Sequence, residues 1–310
     1  MNRHTVFNHL KLQGTTLREK ILKSILKTCP EGDLKSHENN QYRLSCVFIF
    51  FQRYHLMDNI LHCLNSQSLK KDKFQIVLVE DKCGSIEGAS LKQKFPGLKI
   101  DYFAPDHGWG KMGFMRNYGL SKAKGEIILF LDDDTVLMDT DFLKNLIDFF
   151  AADPSLDAVI PEGFASHALI KGQYEYHDPF FFTNRCMAYR KNCLLELKGF
   201  DSNFIGQEDV EFAIRFTAKN YNVLKTPSLQ YYHPPLVYED TSKGHAVGAS
   251  FARSKYNMII KCFLFINGIR WLPLYFLPGL KNKFMARFAL GFLKGFVGKI
   301  FKKHKKVDYR

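Results

Sequence analysis

Residues 125–135 read GEIILFLDDDT. The run from Ile127 to Leu131 predicts a buried strand, because it has no polar position to turn toward water. Asp132, Asp133 and Asp134 come directly after it. Unpaired carboxylates are too costly to bury. The triplet must therefore emerge at the carboxyl end of the strand, where open α/β sheets bind ligands. Adjacent carboxylates also repel one another. A hard divalent cation such as Mg2+ or Mn2+ relieves that repulsion and can hold a diphosphate at the same time. An acidic turn on a plain surface could carry the same triplet, so its surroundings have to decide.

On either side of this stretch, apolar strands and amphipathic helices alternate. Leu44–Phe51, Phe74–Val79, Leu98–Phe103 and Glu126–Leu131 read as strands. Leu56–Ser66, Met115–Ala123 and Asp141–Phe150 read as helices, the last with Asp141 as N-cap. This rhythm predicts an α/β domain with a largely parallel sheet and helices on both faces. Beyond Pro161 the pattern is less regular, with one clear helix from Glu208 to Lys219. Residues 1–40 read as an extension: a helix over Leu17–Leu26, then a polar linker. The core domain is expected over 41–240, and a third region over 241–310.

The 310 residues are 46% hydrophobic, enough for a sizeable core, and include 29 Phe. Seven scattered cysteines without a CxxC pair fit a reducing compartment and argue against a disulfide framework or zinc site. The N-terminus has no apolar h-region, so no signal peptide is expected.

Net charge is +13 and uneven: residues 281–310 hold ten Lys/Arg against Asp308 alone. Residues 262–280 are strongly apolar but contain Asn267, Arg270, Pro273 and Pro278, which suits a hairpin lying in a membrane interface better than a span. On a helical wheel, Lys283, Arg287 and Lys294 fall within about 40° of each other. Phe284, Phe288, Phe292, Phe296, Met285, Ala289 and Leu293 cover the opposite face. This is the pattern of a basic interfacial helix, although a helix packed on the protein body would also satisfy it. The basic run Lys302–Lys306 adds attraction to anionic lipid. Nucleic acid is the less favoured partner, because the basic residues gather on a Phe-rich tail and not in a groove with aromatic platforms.

Four segments resemble the family 2 glycosyltransferases, of GT-A fold, over roughly residues 44–235. Val47–Gln67 (VFIFFQRYHLMDNILHCLNSQ) is similar to the family's opening strand, loop and helix, but has Ile49-Phe50-Phe51-Gln52 where a Pro-Thr-Tyr-Asn type turn is usual. Val77–Ser85 (VLVEDKCGS) resembles the acidic pair after the second strand, with Lys82 and Cys83 inserted before Gly-Ser. Gly113–Thr135 (GFMRNYGLSKAKGEIILFLDDDT) resembles the run leading into the DXD motif. Thr183–Phe212 (TNRCMAYRKNCLLELKGFDSNFIGQEDVEF) resembles the acceptor-side segment with its ED motif.

The resemblance implies roles. Asp81 would read the nucleotide base, and a carboxylate there can accept the N3–H of a uracil. Arg116 would face the diphosphate. Asp134 would be the main metal ligand, Asp132 a second, and Asp133 a ribose contact. Asp209 would be the catalytic base, with Glu208 on the acceptor. His233, after an expected strand, could complete the metal shell or could be structural. His107, Trp109 and Lys111 could line the donor side. The reaction expected is inverting transfer from a nucleotide-sugar, UDP-linked by the family's habit, with Mn2+ or Mg2+ bound. Inversion needs one general base and a Lewis acid for the leaving diphosphate. The acceptor expected is a glycan or lipid-linked saccharide at the cytoplasmic face of a membrane, in cell-surface polysaccharide or glycolipid assembly. Leu129–Val136 also satisfies the strand-Asp-x-Asp pattern of haloacid-dehalogenase phosphatases, although that motif normally opens its fold.

Overall fold

The computed structural model describes residues 10–11, 20, 24, 31–35, 39–82, 84–166, 173–174, 184–219, 221–233 and 241–301. Of the helix expected over Leu17–Leu26, Lys20 and Ser24 are helical, and the rest lies outside the described residues, as does the run Lys302–Lys306. In chain order the elements are β1 (Leu10–Lys11), β2 (Tyr42–Phe50), α1 (Tyr54–Asn65), β3 (Phe74–Glu80), α2 (Ile86–Lys94), β4 (Ile100–Phe103), α3 (Met112–Lys122) and β5 (Gly125–Asp132). Next come β6 (Val136–Leu137), α4 (Phe142–Ala152), β7 (Ala158–Ser166), β8 (Gln173–Tyr174), β9 (Cys186–Arg190), α5 (Lys191–Glu196), α6 (Glu208–Ala218) and β10 (Val223–Tyr232). The chain continues into α7 (Ser242–Arg253), α8 (Met258–Ile269) and α9 (Leu280–Phe301), with a 3-10 turn Leu272–Phe276 between the last two.

The strands form one sheet in the order β1-β10-β7-β9-β5-β2-β3-β4, with β6 on β10 and β8 on β7. The half expected from the alternating pattern, β5-β2-β3-β4, is wholly parallel. β9 then enters antiparallel between β5 and β7, while β7 and β10 pair in parallel. The expected α/β class is found, and the less regular sequence after Pro161 is where the sheet becomes mixed.

Alternation along β2 sorts the core into two layers. Leu44, Cys46, Phe48 and Phe50 meet α1 and α4 on one face. Val47 and Ile49 meet α3, α5 and α6 on the other. Truncating a fully buried ring such as Phe48 would cost about 3–5 kcal/mol. Asp141 does precede α4, but its carboxylate accepts from Ser68 Oγ and does not cap the helix.

A third cluster joins α6 to α7, α8 and α9 through Ile214, Val247, Phe251, Leu264, Phe292 and Phe296. The interfacial helix expected over Lys283–Gly298 is corrected at this point. Phe292 and Phe296 are buried against α7 and α8, so this face of the helix is occupied by protein. The cause is glycine. A Cβ on Gly244 or Gly248 would lie 2.2 or 2.1 Å from a carbonyl oxygen of α9, at Phe288 or Phe292. A Cβ on Gly291 or Gly295 would lie 2.2 or 2.0 Å from the carbonyl of Thr241 or His245. Each helix thus offers a Gly-x-x-x-Gly face, and the two backbones touch.

Candidate active site

β2, β3 and β5 run parallel and end together, at Phe50, Glu80 and Asp132. The loops that leave these three strand ends therefore gather at one rim. A cleft of about 620 Å3 opens there, within the range of small-molecule sites. Its wall includes Arg53, Asp81, Arg116, Asp132, Asp133, Asp134, Glu208, Asp209 and His233. The nucleotide, metal and catalytic residues expected from the sequence, Asp81, Arg116, Asp132, Asp133, Asp134, Glu208, Asp209 and His233, are all among them. His107, Trp109 and Lys111 are not; their loop reaches the cleft through Gly110, whose backbone N–H donates to both oxygens of Asp81 at 3.1 and 3.0 Å. Gly110 has φ +68°, the left-handed backbone that glycine adopts without cost.

The carboxylates of the triplet point in different directions. His233 Nε2 lies 2.9 Å from Asp134 Oδ1 and 3.7 Å from Asp132 Oδ2. One ligand atom from each of these three residues falls within 4.8 Å of the others. Two carboxylates and an imidazole suit Mn2+ well and Mg2+ acceptably, so the residues fit a divalent cation. Asp133 turns instead to Arg53, whose Nη1 also reaches Asp134, at 2.8 and 3.0 Å.

Arg116 is the buried centre of the charge network. Its Nε donates to Glu208 Oε1 at 2.5 Å and its Nη2 to Asp132 Oδ1 at 3.1 Å. Its Nη1 is buried and has no hydrogen-bond partner among the described residues. A buried guanidinium donor without a partner is costly, and an anionic ligand in the cleft would satisfy it. Asp209 opens α6. Its Oδ2 accepts from Asn184 N at 3.2 Å and its Oδ1 from Val210 N at 2.8 Å, which fixes the carboxylate plane.

Proton affinities are spread widely over a small space. Burial disfavours the Asp132 anion, yet His233 and Arg116 beside it hold its carboxyl well below the usual range. Burial pushes Asp133 up to about 7, with Asp134 and Asp132 adding to the rise against Arg53. Burial likewise raises Glu208 to about 7, opposed by Arg116 and aided by Asp209. Burial works against a charged His233, but its contacts with Asp132 and Asp134 keep its pKa at about 9.

The sequence suggests Glu208 as an acceptor contact. In the structure it is 3% exposed and committed to Arg116. Arg53 and Arg185 carry no local signal in the sequence, although both line the cleft. Arg53 ends the β2 loop 80 residues from its partner Asp133, and Arg185 precedes β9 with its charge felt by Asp132 and His233. Only the register of β2 and β9 on β5 brings them in. Val247 of α7 also lines the cleft, so the C-terminal helices supply part of its wall. That junction is braced by a buried pair: Arg215 bonds Glu211 at 2.7 Å and the carbonyls of Leu197 and Gly199, while Tyr256 Oη donates to Glu211 at 2.8 Å.

Lys82 and Gln207, on the wall, and Gln52, between wall residues Phe51 and Arg53, have φ of 60°, 62° and 55°. Left-handed backbone at a residue other than glycine costs roughly 1–2 kcal/mol. Such strain gathers at functional sites.

Comparison with known proteins agrees with this fold. The solved structure of TarS 1–349 from S. aureus in complex with UDP superposes with a TM-score of 0.56 at 17% identity, covering 78% of this chain and 77% of that one. The mannosyltransferase PcManGT from Pyrobaculum calidifontis, in complex with GDP-Man and Mn2+, gives 0.56 at 17% identity over 91% and 82%. The shared architecture is the expected GT-A type. In sequence, the chain is 26% identical over 190 residues to the O-antigen chain rhamnosyltransferase RfbN of Salmonella typhimurium, covering 54% of this chain and 59% of that protein. It is 24% identical over 221 residues to the O-antigen biosynthesis protein RfbC of Myxococcus xanthus, covering 62% of this chain and 17% of that protein. The chain thus matches less than two thirds of the length of either relative. The model of glycosyl transferase family group 2 matches residues 127–298, which take in the triplet, the ED pair and the C-terminal helices. That of glycosyl transferase family 2 matches residues 45–201, half of the chain, and the protein belongs to that family.

Proposed function

We propose that this protein transfers a sugar from a nucleotide-sugar to a hydroxyl of a glycan or lipid-linked acceptor, with inversion, during cell-surface polysaccharide synthesis on the cytoplasmic side of a membrane. Residues 41–240 carry the transfer and 241–310 the docking. One observation carries the reading: Asp132, Asp134 and His233, the donor-bearing Arg116, and Asp209 converge on a single cleft. The relatives' names support the polysaccharide context, and the ligands named for the two structural neighbours support a nucleotide-sugar.

Asp132, Asp134 and His233 would hold Mn2+ or Mg2+, which when bound supplies Lewis-acid stabilisation to the departing nucleoside diphosphate. Arg116 Nη1 donates to a phosphate oxygen, and Glu208 keeps the guanidinium in place. Asp81 accepts the N3–H of a uracil, in keeping with UDP as the donor nucleotide, and Asp133 faces the ribose. Asp209 takes the proton of the acceptor hydroxyl as the new bond forms. Its two backbone hydrogen bonds orient it for that step. A second carboxylate nucleophile, as retention would require, is not needed.

The test is binding and slow hydrolysis of UDP-, GDP- and dTDP-sugars with and without Mn2+, alongside Asp134→Ala. Metal-dependent recognition of one donor, lost in the variant, is expected. A folded protein that recognises none of them in the presence of acceptor lipid extract would overturn the reading.

A further inference from the structure

We propose that α8 and the 3-10 turn after it form a ridge that inserts into the headgroup region of an anionic lipid bilayer and seats the cleft at the membrane surface. Among the described residues the ridge is apolar and uncovered. Met258, Ile259, Ile266, Tyr275, Phe276 and Leu277 are each at least half exposed, Phe276 at 86%. On α8, Met258, Ile259, Cys262 and Ile266 fall within an arc of about 100°. Ile260, Leu264 and Gly268 occupy the opposite side and are buried. A Cβ on Gly268 would meet the Phe292 ring at 2.3 Å, so α8 lies flat on α9 with one face out.

Met258–Phe276 is long and apolar enough to cross a membrane by length and composition. The geometry argues for insertion along the surface. α8 has 12 residues, about 18 Å of helix against a hydrocarbon core of about 30 Å. Its inner face belongs to the protein core. Trp271 and Tyr275 give the ridge the amphipathic rings that settle at headgroup depth, and Arg270 lies over the Trp271 ring at 4.5 Å.

Charge selects the occupant. Residues 241–301 contain ten Lys/Arg and no Asp or Glu. Counted to Arg310, the last 70 residues carry +14, while the first 240 carry −1. Arg253, Lys283, Arg287 and Lys294 on these helices and Lys255 in the turn between α7 and α8 are exposed. An apolar ridge on a segment whose charged side chains are all basic matches an anionic bilayer. It repels a second copy of itself, which would bring like charges together. Val247 and Phe251 of α7 share one core with Ile260, Leu264 and Phe292, and Val247 also walls the cleft. The ridge therefore holds a fixed place relative to Asp209. That a membrane-borne acceptor reaches Asp209 rests on the proposed transfer reaction; the docking does not.

The test uses the full chain with vesicles of phosphatidylcholine alone and vesicles with phosphatidylglycerol added. Cosedimentation with the second kind only, weakened by high salt, is expected. Trp109→Phe leaves Trp271 as the sole tryptophan, and its emission should shift to the blue on binding. Ile266→Glu combined with Phe276→Glu should reduce the bound fraction at least about tenfold, with an unchanged circular dichroism spectrum and unchanged UDP binding. Wild-type protein that ignores anionic vesicles would overturn the proposal. So would a double variant that binds them as well as wild type, or a vesicle-indifferent dimer that the double variant dissociates. Vesicle binding without donor recognition would leave the ridge standing and remove the transfer reading; the reverse result would do the opposite.

Discussion

Around the cleft, charged side chains are packed against one another: buried Arg116 with buried Glu208 and the part-exposed Asp132, and buried Arg215 with Glu211. In the C-terminal helices, backbone is buried against backbone through Gly244, Gly248, Gly291 and Gly295. The first arrangement tolerates changes of volume poorly and changes of charge worse, because removing one partner strands the other in a low-dielectric interior. The second depends on the absence of side chains. The difference separates chemistry from placement: one half fixes the electrostatics of the reaction, and the other fixes where it happens.

The sharpest way to break the first half is Asp134→Ala. Metal-dependent donor binding should vanish and turnover fall by at least about a thousandfold, measured by calorimetry with UDP and Mn2+ and by donor hydrolysis. Asp209→Asn comes next. Transfer should fall by about 10²–10⁴-fold while the donor dissociation constant stays as in wild type. Equal losses in binding and turnover would return Asp209 to a structural role. In the other half, Gly248→Val sets a side chain against the Phe292 carbonyl and should lower stability by about 2–4 kcal/mol. Thermal unfolding reads this directly. An unchanged melting temperature would mean that the backbone contact contributes nothing.

The smallest effect concerns pH. Glu208 is raised from 4.5 to about 7 in the folded chain. Between those values the folded state holds the proton more tightly than the unfolded state. Its contribution to stability is therefore full below about pH 4.5 and is lost as pH rises through 7, on the order of 1–3 kcal/mol. Glu208→Gln keeps a carbonyl oxygen for Arg116 and should flatten that slope in urea unfolding series taken from pH 5 to 8.

Most of the donor side is legible in the sequence because it sits at strand ends. An apolar run with acids directly after it fixes both the strand and the place where the acids emerge, as at Leu131–Asp132 and Val79–Asp81. Asp209 is legible because it opens an amphipathic helix. α2 is not: only Gly88 and Leu91 of its nine residues are buried, so it has little apolar periodicity. The antiparallel insertion of β9 and the convergence of Arg53 with Asp133 depend on register between distant segments, which local pattern does not carry. The face of α9 misleads for a related reason. The wheel correctly groups the Phe residues, but whether lipid or protein covers them depends on glycines 40 to 50 positions away, on α7.

Gln52, Lys82 and Gln207, at the rim of the cleft, hold a conformation that glycine would adopt at no steric cost. A search for thermostable variants would therefore be drawn to glycine at these positions, each relieving roughly 1–2 kcal/mol of strain. It would remove the side chains that border the cleft and unlock three loops at once. In this protein, robustness and turnover would trade against each other at the same three positions.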